Sequence, residues 1–78
     1  MEFAKALAVI RVIPDFPKPG INFQDITPLL ADPAAFSSVI SEMAKSVQNV
    51  EIVAGIEARG FILAAALAAS SKKGFVLI

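Results

Sequence analysis

The sequence predicts an α/β fold, and three stretches carry that prediction. Val50–Gly55 is a short apolar run with β-branched residues, the pattern of a strand covered on both faces. Gly60–Ser71 is alanine-rich and uncharged, a composition that favours helix, and Phe75–Ile78 returns to a buried-strand pattern. A strand, a helix and a strand in so short a span imply a right-handed parallel crossover. Upstream, Phe36, Val39, Ile40, Met43 and Val47 recur at steps of three and four, which adds a clear amphipathic helix.

Taken in order, residues 2 to about 12 have helical spacing, with Phe3, Leu7 and Ile10 along one face and Lys5 and Arg11 off it. Pro14, Pro17 and Pro19 end this helix, because each disfavours helix at the residue before it. Phe16, set between prolines, is expected to anchor this connector by placing its ring in a core. From Ile21 to Ile26 the residues alternate with period two, as in a short strand or a loop. Thr27-Pro28 reads as an N-cap with proline at the first helical position, opening one turn through Ala31. Asp32-Pro33 repeats that signal for the second helix, which is expected to reach about Val47. At the far end Lys72 and Lys73 complement the helix terminus and Gly74 fits its C-terminal cap.

Composition narrows the chemistry. The apolar fraction is 56% and the mean hydropathy +0.72, more than a 78-residue chain needs for a core of its own. The excess points to a partner subunit or to further polypeptide, and the chain is expected to be the N-terminal portion of a single larger domain. No apolar run reaches the ~20 residues that a spanning helix requires, so no membrane role is expected. Glu2 and Arg11 also argue against a signal peptide. Seven basic and seven acidic residues are scattered without a patch suited to nucleic acid. With no cysteine and no histidine, disulfides, thiolate chemistry, His-based catalytic groups and His/Cys zinc sites are excluded within this chain.

Ligands of such folds bind beyond the carboxyl ends of the strands, where Ile56 to Gly60 lie just before the alanine-rich helix. First-turn amides and the Arg59 guanidinium make an anion site there. The competing reading keeps Glu57 and Arg59 as solvated charges, with Gly60 only letting the helix start near the sheet. The loop is neither the three-glycine dinucleotide fingerprint nor a Walker loop.

Two stretches taken together, Pro14-Asp15-Phe16-Pro17-Lys18-Pro19-Gly20-Ile21-Asn22-Phe23-Gln24-Asp25-Ile26-Thr27-Pro28 and Val53-Ala54-Gly55-Ile56-Glu57-Ala58-Arg59-Gly60-Phe61, resemble the adenine phosphoribosyltransferases. The resemblance runs from about Ile10 onward. It implies an incomplete type I phosphoribosyltransferase fold, Rossmann-like, ordered as N-terminal helix, connector, helix and then parallel strand-helix-strand. It also implies transfer of the ribosyl phosphate of 5-phosphoribosyl pyrophosphate to adenine, giving AMP and pyrophosphate, in a cytoplasmic homodimer serving purine salvage. Mg2+ is implied as bound through the pyrophosphate donor.

By the same resemblance Glu57, Ala58, Arg59 and Gly60 hold pyrophosphate, with a cis peptide between Glu57 and Ala58. Phe23 stacks on adenine, and the Asn22 and Gln24 backbone reads its edge. An apolar ring beside amide and carbonyl groups suits a neutral purine. Gln24 departs from the arginine often found there, a change that backbone recognition tolerates. No residue of this chain is assigned a catalytic or metal-ligating role. The ribose-phosphate loop with its paired acidic residues is absent, so these residues alone are expected to be inactive. A non-catalytic nucleotide- or partner-binding module of the same fold is the alternative, as is a remnant that does not fold.

Overall fold

A computed structural model describes all residues from Met1 to Ile78, in two compact units, Met1–Val39 and Ile40–Ile78.

The first unit contains α1 (Phe3–Leu7), β1 (Arg11–Ile13), β2 (Phe23–Asp25) and α2 (Thr27–Ala31), and α3 (Pro33–Ala44) begins in it. β1 and β2 form an antiparallel pair with Arg11 opposite Asp25, Val12 opposite Gln24 and Ile13 opposite Phe23. The predicted first helix therefore stops at Leu7, well short of Val12. Val9, Ile10, Val12 and Ile13 are β-branched, stiff at χ1 in a helix and better placed on a pleated strand once a partner strand is present. The expected apolar stripe is not buried either: Phe3 and Leu7 are exposed, and Ala6 is the residue of α1 in the core.

The proline-rich connector folds back on itself. Asp15 and Gly20 both have positive φ, at 55° and 88°. The Gly20 amide donates to Asp15 Oδ1 at 2.9 Å, and the Phe16 amide to the Ile21 carbonyl at 3.0 Å. Phe16 is 49% exposed, so it does not fill a core as expected. Its ring instead meets Phe23 edge-on.

Thr27 is not the cap of α2. It is the first helical residue, and both its amide and its hydroxyl donate to Asp25 Oδ1, at 3.0 and 2.7 Å. A carboxylate two residues upstream replaces the hydroxyl as the acceptor, and it also favours the positive end of the helix. Asp32 caps α3 as expected, its Oδ1 accepting from the Ala34 and Ala35 amides at 3.0 and 3.1 Å. Ala35, Val39 and Ile40 are buried. The helix ends at Ala44 rather than Val47, because Lys45, Ser46 and Val47 turn back to carbonyls three residues away.

The second unit completes α3 and adds β3 (Ile52–Gly55), α4 (Arg59–Ser71) and β4 (Gly74–Leu77). β3 and β4 pair in parallel, with Val53 beside Phe75 and Ala54 beside Val76. The ladder is extended by the Gly74 amide to the Glu51 carbonyl and the Ile78 amide to the Gly55 carbonyl. Ala64, Leu67 and Ala68 are the buried residues of α4. Lys72, not Gly74, takes the left-handed position at the helix end, with φ 59°. Gly74 is already the first residue of β4.

Within residues 1–78 one face of these strands is covered. α4 lies against the face of Val53, Gly55 and Phe75, whereas Ile52 is 59%, Val76 45% and Ile78 71% exposed. A single helix shields one side of a sheet, and an apolar sequence cannot say which side lacks a cover. No helix is long and apolar enough to cross a membrane.

Candidate functional site

The loop between β3 and α4 consists of Ile56, Glu57 and Ala58, with Arg59 opening the helix. Its ends are set by close packing. A Cβ placed on Gly55 would lie 2.8 Å from the Gly60 carbonyl oxygen, 2.9 Å from Ala64 Cβ and 3.1 Å from the Phe75 ring. None of these can yield cheaply, so only glycine lets strand and helix approach so closely. At Gly60 an added Cβ would meet nothing nearer than 3.9 Å. The spacer role that the sequence suggests for Gly60 therefore belongs to Gly55.

Ala58 is the N-cap of α4, and its side chain offers no acceptor to the first-turn amides. The Glu57–Ala58 peptide is cis, in the place that the resemblance implies. Glu57, Ala58 and Arg59 are exposed and Gly60 is half-buried. An uncapped helix start with a guanidinium at its first position suits an anion. Beside the loop lies an apolar hollow of about 290 Å3, lined in part by Met43, Ile56, Leu63 and Leu67.

The other predicted segment belongs to the first unit. Asn22 precedes β2, Phe23 opens it half-buried, and Gln24 is exposed. The Phe16 and Phe23 rings meet in an edge arrangement, centroids 5.3 Å apart and planes at 71°. Phe23 and Asp25 share one face of the sheet with their partners Ile13 and Arg11. The Asp25 carboxylate accepts from Thr27 through Oδ1 and from Arg11 through Oδ2, with Nε at 3.0 Å and Nη2 also in contact. The Thr27 amide, then its hydroxyl, then Arg11 hold the Asp25 pKa down at about 2.

The structure thus places Glu57, Ala58, Arg59 and Gly60 at one loop-to-helix junction, and Asn22, Phe23 and Gln24 at the start of β2, each within its own unit. Sequence reasoning missed Gly55, Arg11 and Asp25. Gly55 was visible as a glycine closing an apolar run, whereas the Arg11–Asp25 pair needs the register of a hairpin. No group of three or more His, Cys, Asp or Glu is placed to hold a metal ion.

No protein-family model matches the chain. An adenine phosphoribosyltransferase of Synechococcus sp. (strain JA-3-3Ab) is 56% identical over 72 residues, covering 88% of this chain and 41% of that relative. The crystal structure of the Giardia lamblia adenine phosphoribosyltransferase, complexed with 9-deazaadenine, superposes with TM-score 0.89 at 44% identity. That match covers 99% of this chain and 44% of the Giardia protein. The Thermoanaerobacter pseudethanolicus adenine phosphoribosyltransferase superposes with TM-score 0.87 at 45% identity, over 95% of this chain and 45% of its own. The chain therefore spans less than half the length of the relatives it matches. Over that span the chain is similar, in sequence and in fold, to adenine phosphoribosyltransferases.

Proposed function

We propose that the polypeptide carrying these residues is a purine-salvage transferase that joins adenine to 5-phosphoribosyl pyrophosphate, with AMP and pyrophosphate as products. A ring nitrogen of adenine replaces pyrophosphate at the ribosyl carbon, so negative charge gathers on the departing diphosphate. Glu57, Ala58, Arg59 and Gly60 receive that group. The Arg59 fork pairs with phosphate oxygens, and the first-turn amides of α4 add donors that no side-chain cap consumes. Donors aimed where charge develops lower the barrier rather than merely tightening binding. Asn22, Phe23 and Gln24 receive the base, the ring against its face and the backbone along its edge.

The observation that carries this reading is the joint one of 44% identity and TM-score 0.89 to a protein crystallised with 9-deazaadenine, an adenine analogue. Mg2+, if carried on the donor, would offset the diphosphate charge, and no residue of this chain is assigned to hold it. A cytoplasmic homodimer completes the reading, as the resemblance implies, and 1–78 is taken as one portion of a single transferase domain.

Arg59→Ala in a full-length transferase carrying these residues tests the loop. It is expected to lower kcat/KM for 5-phosphoribosyl pyrophosphate about ten- to a hundredfold, with the loss in kcat included, the worth of hydrogen bonds to a charged group. Steady-state kinetics that ignore the change would remove the assigned role.

A further inference from the structure

We infer that Asp25 is a positioning residue for purine recognition: it ties β2 to β1 and to α2 at once, and so fixes where the Phe23 ring and the neighbouring backbone meet the base. The inference rests on the base-binding reading of Asn22 to Gln24.

The geometry is that of a junction. Asp25 is 8% exposed, whereas the Arg11 side chain is 62% exposed, so the carboxylate is the buried member of the pair. Oδ1 takes both donors of Thr27 and Oδ2 takes two nitrogens of Arg11. A carboxylate offers about four acceptor positions, and four donations hold it in position and in rotation. A helix cap alone needs much less, since a serine, threonine or asparagine suffices. The second oxygen is committed across the sheet, to the residue directly opposite in register.

That junction lies two residues from Phe23, on the same face. A two-stranded ladder of three residues a side has little rigidity of its own. The placement of Phe23 then depends on what fastens the ends of β2, which are Asp25 at one end and the Phe16 contact near the other. Recognition through backbone groups is intolerant of displacement, because a shift of even about 1 Å breaks several hydrogen bonds together. Arg11 and Asp25 would then influence base binding without touching the base.

The test uses a full-length chimera in which Met1–Ile78 replace the matching stretch of the Synechococcus relative. Asp25→Asn keeps the shape and an acceptor for Thr27 but loses the charge. It is expected to raise the KM for adenine about tenfold, a hydrogen bond's worth to a charged group. The kcat at saturating adenine and the KM for the ribosyl donor stay within about twofold, since positioning acts on one substrate only. Arg11→Met, which alters the exposed partner and leaves Thr27 in place, shifts the same constant in the same direction, and Arg11→Lys recovers part of the loss. An unchanged adenine KM in Asp25→Asn or Arg11→Met overturns the inference. So does a fall in kcat and a rise in both KM values that tracks the melting temperature, the signature of a purely structural pair. If Asp25→Asn does not fold, Arg11→Met decides. A parent chimera that makes no AMP overturns instead the function proposed above.

Discussion

The two units of this chain are fastened by different means. In Met1–Val39, Asp15, Asp25 and Asp32 each accept a hydrogen bond from a backbone amide, at a turn or at the head of a helix. In Ile40–Ile78 the strand and helix are held by the absence of side chains, with Gly55 set against Gly60 and Ala64. The contrast is sharpest at the helix starts. α2 and α3 begin beneath carboxylates of their own chain, whereas α4 begins at an alanine whose side chain offers its amides no acceptor. A helix that brings its own anion has no use for another. The start of α4 is the one without such a carboxylate, and the loop proposed to take pyrophosphate lies there.

The largest expected effect lies in the second unit. Gly55→Ala should destabilise a full-length transferase carrying these residues by about 1–3 kcal/mol in denaturant unfolding, the usual cost of overpacking. Gly60→Ala should cost the fold little, since nothing lies within 3.4 Å of the added carbon. Equal losses at the two glycines would break the distinction between them.

The next effect belongs to the first unit and is read with acid. The Asp25 pKa is held down to about 2, so the stabilisation it confers is fully present above the ordinary carboxylate value near 4. It is lost as the pH falls from about 4 towards 2, where the folded form finally takes up the proton. Stability followed by circular dichroism should fall through that window, and Asp25→Asn should flatten the part due to this group. The smallest effect is the sharpest probe of the helix starts. Ala58→Asp gives α4 the cap that α2 and α3 already have and should add about 0.5–1 kcal/mol to stability. By calorimetry it should also weaken pyrophosphate binding, because the new carboxylate occupies and repels at the same place. Undiminished affinity would mean that the anion is held elsewhere.

Much of this was legible in the sequence. The β3-α4-β4 unit followed from apolar runs on either side of an uncharged alanine-rich stretch, and the Asp32 cap followed from the proline directly after it. What escaped depends on distant partners. Val9 to Ile13 suits the end of a helix or a strand equally until Phe23–Asp25 arrives beside it. Asp25 looks like one more residue of an alternating strand, since its role as acceptor for Thr27 requires a local turn. Lys72 in a left-handed cap lacks the glycine signal. The segments proposed for the base and for pyrophosphate were singled out by a resemblance in two motifs taken together, neither of which is distinctive by its residue types alone.

The contact that forbids a side chain at Gly55 has a kinetic consequence. Only Ile56, Glu57, Ala58 and Arg59 stand between two glycines whose backbones nearly touch, so the intervening chain has little slack. A segment without slack surrenders little conformational freedom when a ligand arrives. On the function proposed above, capture of a diphosphate there is expected to proceed at the pace of diffusion and charge steering, without waiting for the segment to order, with variants differing chiefly in how soon the ligand departs.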